Sequence, residues 1–226
     1  MVNYLLQGEQ TQLTPRVMKH AEAAMRIRID ETPFRDYPSE ALVAGKICKY
    51  ISHLPLIEGY TRGARKDSEE RINSEIKDRV FRKRTLDQML EQGLIDTCSD
   101  KGLVFRGLMI AQGIPVAYVE TFHVSFLEEK DSKRYSFHGH VLGRVILSDN
   151  SVLVDPGKKS DCGVPEYYSD EIDLFGKKGY VVFREGFDSW DVGIRGYRDM
   201  HRLRDANLRM LSKKVDRLKV ALFTES

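Results

Sequence analysis

The feature that most constrains the fold is a change of pattern at residues 113–115, Gly-Ile-Pro. Before it, four apolar residues recur at the spacing of one helix face: Leu103, Val104, Leu108 and Ala111. After it, residues 116–126 are rich in β-branched and aromatic side chains, which are typical of a strand. We therefore expect a buried helix that begins near Cys98, ends at Gly113 and leads directly into a β-sheet.

Helical spacing also occurs on both sides of this central unit. It predicts helices over residues 15–29 and 40–52, and a basic helix over residues 197–223. The leucine seam of the last helix persists for about two heptads, so packing onto the body is the preferred interpretation and a coiled-coil dimer is the alternative. The oligomeric state stays open.

Strand patterns lie between these helices. Residues 135–147 and 151–155 flank the turn Ser148-Asp149-Asn150, which indicates an antiparallel hairpin, and residues 180–184 predict another strand. The predicted fold class is therefore α+β, with N-terminal helices and a C-terminal helix around a sheet. Three parts are expected along the chain: an N-terminal helical part of the same domain (1–84), a core (85–190) and a C-terminal helical extension (191–226).

The charge balance gives no strong nucleic-acid signal. The chain holds 36 Lys and Arg against 34 Asp and Glu, a net charge of +2. Residues 60–84 mix nine basic with five acidic side chains, which favours a solvated helical face over a mobile loop or an acid-binding patch. Residues 195–219 carry nine basic against three acidic side chains. Binding to nucleic acid or a membrane surface is the alternative there, but the leucine seam is a sufficient structural account.

The three cysteines, Cys48, Cys98 and Cys162, are an odd number without a Cys-x-x-Cys pair. This argues against a disulfide framework and a four-cysteine zinc site, and favours reduced thiols in the cytoplasm. The N-terminus lacks a signal-peptide pattern, and no apolar run is long enough to span a membrane. Delivery by a non-standard secretion route would leave no trace here. Cys48 falls on the apolar side of a predicted helix, so we expect a core residue.

Cys98 differs from Cys48 in its position along a helix. It follows Asp96 and Thr97, which are both good N-cap residues, so its thiol is expected in the first helical turn. There the helix dipole and the unpaired backbone N–H groups favour the nucleophilic thiolate. The same N–H groups can form part of an oxyanion hole.

A cysteine nucleophile needs a base, and a base needs a group that orients it. His123, His138 and His140 lie in predicted strands, and periodicity alone does not choose between His138 and His140. Asp155, at the end of the paired strand, is the natural orienting acid. His138 and His140 could also form a metal-binding pair, but no third ligand is fixed nearby, so no metal and no cofactor are expected.

Four pieces of the sequence together resemble the transglutaminase-like superfamily, which shares its fold with papain-like cysteine proteases. They are TCSDKGL at 97–103, GIPVAYV at 113–119, His140 in an apolar strand, and VDPG at 154–157. The resemblance covers about a third of the chain and implies a papain-like core with the cysteine on a central helix against an antiparallel sheet. It also implies Cys98 as nucleophile, His140 rather than His138 as base, and Asp155 as the orienting acid.

The sequence departs from the family pattern in several places. Ser99, Val141-Leu142 and Val116-Ala117 stand where many members have aromatic residues or an arginine. The calcium-dependent animal transglutaminases are also multidomain and much larger, which argues against calcium-regulated crosslinking. We therefore expect a thiol protease or amidase that acts on a protein or peptide substrate. A transglutaminase and a catalytically silent binding module are the alternatives.

Two details of such a site are open at this stage. The sequence does not place the second oxyanion donor, for which Gln88 and Gln92 are guesses. Loops at 128–134 and 157–179 are expected to set specificity.

Overall fold

The computed structural model describes residues 3–35, 38–54, 81–92, 95, 97–128, 139–159 and 165–224. Its helices are α1 (Pro15–Met25), α2 (Ser39–Ile51), α3 (Leu86–Gln92), α4 (Cys98–Ala111), α5 (Val124–Glu128), α6 (Glu171–Lys178) and α7 (Tyr197–Thr224), with a 3₁₀ turn at Thr32–Phe34. Its strands are β1 (Val116–His123), β2 (Gly139–Ile146), β3 (Ser151–Lys159), β4 (Pro165–Tyr168) and β5 (Tyr180–Gly186). The predicted α+β class is confirmed.

The five strands form one sheet in the order β4-β3-β2-β1-β5, and all neighbours are antiparallel. The predicted hairpin is β2 and β3, in which Gly143 lies opposite Val154. Residues 135–138 of the predicted first arm lie outside the described part of the chain. In the β1–β2 pair, Glu120 lies opposite Val141 and Thr121 lies opposite His140, so β1 is the strand next to the one that carries His140.

Helix α4 lies against this sheet and begins and ends where its capping residues predict. Thr97 is the N-cap, and Gly113 follows the C-cap with a φ of 74°, a left-handed conformation that glycine adopts without strain. A Cβ atom at Gly102 would come within 2.3 Å of a methyl group of Val141 on β2. Glycine at this position lets the cysteine helix approach the strand that carries His140.

One large hydrophobic cluster occupies the space between the helices and one face of the sheet. It contains Ala44 of α2, Leu103 of α4 and Leu211 of α7, and so draws on all three predicted parts of the chain. A smaller cluster around Val119 covers the opposite face beside Leu174 of α6. The domain boundaries at 84 and 190 stay a prediction, whereas packing of the last helix onto the body is what the structure has.

Three expectations of secondary structure are wrong. The helix predicted over residues 15–29 ends at Met25. The strand predicted to reach residue 126 ends at His123, where the ring Nδ1 accepts a hydrogen bond from the Ser125 backbone and α5 begins. The loop expected at 157–179 contains the end of β3, all of β4 and all of α6, capped by Asp170 and by left-handed Gly179. Short elements of four to eight residues carry too little periodicity to be recognised in a sequence.

No helix in the described part of the chain combines the length and the apolar composition needed to cross a membrane.

Candidate active site

Cys98 is the first residue of α4, and a capping box fixes the backbone at this end of the helix. The Thr97 hydroxyl accepts a hydrogen bond from the Asp100 backbone at 3.1 Å, and the Asp100 carboxylate accepts one from the Thr97 backbone at 3.4 Å. Asp96, the other candidate cap, lies outside the described residues. A half-buried thiol therefore stands at the positive end of a rigid helix, as the sequence predicts.

A buried arginine ties this helix end to the segment before it. Arg84 donates to Asp100 at 3.0 Å and to the side-chain oxygen of Gln92 at 3.0 Å. Gln88, the other residue considered as an oxyanion donor, uses its side-chain oxygen to cap α3 at Thr85. The side-chain oxygens of Gln88 and Gln92 thus have structural partners, and the second oxyanion donor remains unassigned.

His140 and Asp155 are hydrogen-bonded to each other across β2 and β3. His140 Nε2 lies 2.7 Å from Asp155 Oδ2, and the aspartate is almost completely buried. The second carboxylate oxygen, Oδ1, accepts the backbone N–H of Gly157 at 2.8 Å, which fixes the carboxylate from the other side. With Nε2 bound to Asp155, Nδ1 is the nitrogen that the imidazole can offer to another group.

The ionisation of His140 couples it to Cys98 as well as to Asp155. Burial lowers the pKa of His140, but interactions with Asp155 and with the Cys98 thiolate outweigh it and raise that pKa to about 10. The imidazole is therefore protonated at neutral pH when the thiol is ionised. The three residues singled out in the sequence meet in one place.

An aromatic side chain and a backbone segment border this group. The Tyr180 ring lies 5.6 Å from the His140 ring, and burial, together with the charges of Cys98 and Asp155, raises the pKa of Tyr180. A Cβ at Gly157 would lie 3.7 Å from Cδ of Lys101 and 4.0 Å from the His140 ring. Tyr180 and Lys101 thus flank the site, and the sequence analysis identified neither.

The other histidines contribute less. His123 contacts Ser125 at 2.8 Å and the edge of the Tyr180 ring at 5.3 Å. His138 and Cys162 lie outside the described residues, and so does one member of the metal-binding pair of His138 and His140 that was the less favoured alternative. Within the described ranges no group of three or more potential metal ligands comes together.

A buried ion pair interacts electrostatically with the cysteine and the histidine. Arg82 and Glu120 are joined by two parallel N–H···O bonds of 2.7 Å each, and both side chains are essentially inaccessible to solvent. Burial lowers the pKa of Arg82, but the carboxylate of Glu120 outweighs this and raises it; the charge at Cys98 acts in the same direction.

The expectation of a solvated face over residues 60–84 is wrong for the part that the structure describes. Arg82 and Arg84 are both buried, and the ring of Phe81 packs beside the Arg82 guanidinium at 5.0 Å. Residues 60–80 lie outside the described ranges. A signal for this pair existed in the sequence, because Glu120 is a lone acid within an apolar strand, and a charge in such a place needs a partner.

Trp190 acts as a packing anchor. Its indole N–H donates to the backbone oxygen of Arg82 at 2.6 Å, and the Arg195 guanidinium lies over its ring at 4.8 Å. The side-chain amide of Gln10 donates to the backbone oxygen of Arg84 at 2.9 Å. Residues from both ends of the chain therefore hold the segment around Arg82.

Comparisons with known proteins give a fold-level likeness only. No protein-family model and no curated protein sequence matches the chain. Among solved structures, a candidate cysteine protease from Cytophaga hutchinsonii superimposes with a TM-score of 0.45 at 13% sequence identity. The match covers 84% of this chain and 48% of that protein, so the chain spans about half the length of its structural neighbour. The function proposed for the chain is therefore derived from the site itself.

Proposed function

We propose that the chain is a transglutaminase-like cysteine enzyme that hydrolyses amide or peptide bonds, with Cys98 as nucleophile, His140 as base and Asp155 as the orienting acid. One observation carries the proposal: the imidazole held by Asp155 at 2.7 Å interacts with the thiol at the start of α4. A thiolate at a helix N-terminus beside an oriented imidazolium is the arrangement that cysteine acyl-transfer enzymes require.

In the first step the Cys98 thiolate attacks the carbonyl carbon of the substrate, and the carbonyl π electrons move to the oxygen. Backbone N–H groups at the start of α4 stabilise this oxyanion. As the C–N bond breaks, Nδ1 of His140 gives its proton to the leaving amine, and a thioester remains on Cys98.

In the second step the neutral imidazole removes a proton from water, which attacks the thioester. The C–S bond breaks, a carboxylic acid leaves, and the thiolate and imidazolium are restored. Asp155 keeps Nε2 bound throughout, so that Nδ1 stays directed at the reacting atoms.

The test is iodoacetamide alkylation of individual cysteines against pH, followed by mass spectrometry. We expect Cys98 to react rapidly well below pH 8.5, the usual midpoint for a free thiol. The His140→Ala variant should slow the alkylation of Cys98 roughly 100-fold at pH 6. Cys48, buried in α2 of the same molecule, is the internal control and stays slow in both proteins.

The outcomes separate the three functions considered. Fast reaction at Cys98 that depends on His140, with release of acid from a peptide library, supports the hydrolase. Incorporation of a labelled primary amine into protein indicates a transglutaminase instead. If Cys98 reacts as slowly as Cys48 and partner binding survives Cys98→Ala, the chain is a binding module and the proposal fails.

A further inference from the structure

Burying the Arg82–Glu120 pair costs free energy, and packing alone does not explain why two charged residues occupy these positions. Removing two charges from water costs several kcal/mol for each ion, and apolar residues of similar size often stabilise a core as well or better. Both side chains have lost essentially all contact with solvent, while the neighbouring positions Tyr118 and Phe122 on β1 are filled by large rings. This pair therefore calls for an explanation beyond stability.

The backbone at Arg82 is strained in a way that serves the side chain. Its φ is 58°, a left-handed conformation that residues other than glycine rarely adopt. Trp190 donates to its backbone oxygen at 2.6 Å, and Gln10 does so at 3.3 Å. Two side chains distant in sequence thus hold an unfavourable conformation at the residue whose guanidinium binds Glu120.

The two charges of the pair act on different members of the active site. Arg82 interacts with Cys98, and Glu120 interacts with His140, which lies opposite the next residue of β1, Thr121. The Thr121 hydroxyl also donates to the His140 backbone oxygen at 2.9 Å. The positive end of the buried pair therefore accompanies the negative thiolate, and its negative end accompanies the positive imidazolium.

We infer that Arg82 and Glu120 are positioning residues that form an antiparallel ion pair beneath Cys98 and His140 and favour the thiolate–imidazolium form over the neutral form. This inference rests on the proposed function and adds a second layer to it. In an alternating arrangement of four charges, each charge has two opposite neighbours, so the ionised form of the upper pair gains stability from the lower one.

Other ionisable groups also surround Cys98, and the acids among them have partners of their own. The acids and phenols nearby are Asp100 on α4, Asp155 on β3, Tyr118 on β1 and Tyr180 on β5. Asp155 is bound to His140, and Asp100 is paired with Arg84. Lys101 lies at the outer edge of the site beside Gly157. Among these described groups, Arg82 is a buried arginine whose pKa a negative charge at Cys98 raises.

Four variants distinguish a charge effect from general damage. Arg82→Gln removes the cation, Glu120→Gln removes the anion, Arg82→Lys keeps the positive charge, and the double variant Arg82→Gln/Glu120→Gln removes both. Glu185→Gln is the matched control, because Glu185 pairs with Arg144 at 2.7 Å on partly exposed positions of the same sheet. The readout is the midpoint pH of Cys98 alkylation, with Cys48 as internal standard.

Opposite shifts are the expected signature. The midpoint rises by about one pH unit in Arg82→Gln, because the variant lacks the cation that stabilises the thiolate. It falls by about one pH unit in Glu120→Gln, because the positive charge of Arg82 is then no longer opposed by the carboxylate. Arg82→Lys and Glu185→Gln stay near wild type, and the double variant lies between the two single variants. If Arg82→Gln does not fold, the fall of the midpoint in Glu120→Gln, compared with Arg82→Lys and with the double variant, carries the test.

Shifts in the same direction for both single variants, or shifts no larger than that of Glu185→Gln, overturn the inference. The proposed function fails separately: in that case wild-type Cys98 itself shows no fast reaction below pH 8.5. If wild-type Cys98 reacts rapidly but the midpoints of the two variants do not shift in opposite directions, the proposed function stands and the inference about Arg82 and Glu120 fails.

Discussion

Two buried arginines lie near opposite ends of the cysteine helix and are satisfied in different ways. Arg82, beneath the first turn, is bound by the carboxylate of Glu120. Arg106, two turns further on, donates to neutral oxygens of Val116, Thr11 and Leu6 at 2.6 to 2.9 Å. Burial lowers the pKa of Arg106 to about 10, with partial compensation from Asp188 and Asp191.

The difference suggests that one end of the helix serves the reactive thiol and the other end serves the stability of the fold. At the end that carries Cys98, each buried charge is answered by an opposite charge, so a substitution there changes the field at the thiol. At the other end the guanidinium ties an N-terminal segment to β1 through hydrogen bonds to neutral oxygens. Its loss should therefore disturb the fold and leave the thiol alone.

The largest expected effect is a loss of stability at the Arg106 end of α4. Arg106→Met should lower the free energy of unfolding by about 3 kcal/mol, because several buried oxygens lose their donor. Urea unfolding measures this loss, and the alkylation profile of Cys98 in the folded variant should match wild type. A shifted profile in a protein that remains folded would show that the two ends of α4 are electrostatically coupled.

A pair of glycines gives the next largest effect and compares the two ends directly. A Cβ at Gly102 meets Val141 at 2.3 Å, and a Cβ at Gly107 meets Leu86 at 2.0 Å. Both alanine variants should lose about 1 to 3 kcal/mol of stability through overpacking. Only Gly102→Ala should slow Cys98, because Val141 adjoins His140 on β2 and the helix must move away from that strand.

The glycine comparison is read from stability and alkylation in the same samples. Equal loss of Cys98 reactivity in both variants would show that the reactivity reports general loosening of the core. Retained reactivity in Gly102→Ala would show that the strand adapts without moving His140.

The smallest effect is a dependence of stability on pH. The folded-state pKa of His140, about 10, lies above its ordinary value of 6.5, so its protonation stabilises the fold at low pH and this contribution is lost as pH rises through 10. Above pH 8.5 the cysteine is ionised in the unfolded chain too, so only the extra proton on His140 remains. Wild type should then lose about 1 kcal/mol per pH unit up to pH 10.

His140→Asn is the control for the pH series, since it removes that proton and keeps other titrating groups. Its stability should fall less steeply than that of wild type between pH 8.5 and 10, as measured by urea unfolding at fixed ionic strength. Parallel curves for the two proteins would mean that His140 is not protonated in this range.

The sequence predicts the local parts of this site well and the long-range parts poorly. Thr97, Gly113 and the turn at 148–150 act within a few residues of themselves, so the helix and the hairpin could be placed from their patterns. Cys98 begins such a helix, and Asp155 lies in the strand that follows the hairpin turn, which is why they could be chosen as candidates.

Partners across the fold leave a weaker trace in the sequence. Arg82 stands in a run of mixed charge whose composition is typical of a solvated segment. Its burial depends on Glu120 in β1 and on Trp190 much later in the chain, and periodicity contains no information about such pairs. Only the isolation of Glu120 among apolar neighbours indicated that a cation had to be found for it.

The hydrogen bonds of Gln10 have a consequence for the order of folding. Its backbone N–H donates to Asp188 at 2.8 Å across 178 positions of sequence, and its side chain reaches Arg82 and Arg84. Contacts of such high contact order form late, because the chain must close a very long loop first. During synthesis, the helix with its thiol is complete long before residue 188 leaves the ribosome. The nascent chain is thus expected to carry an unactivated cysteine until residue 188 has been made and has folded back onto Gln10.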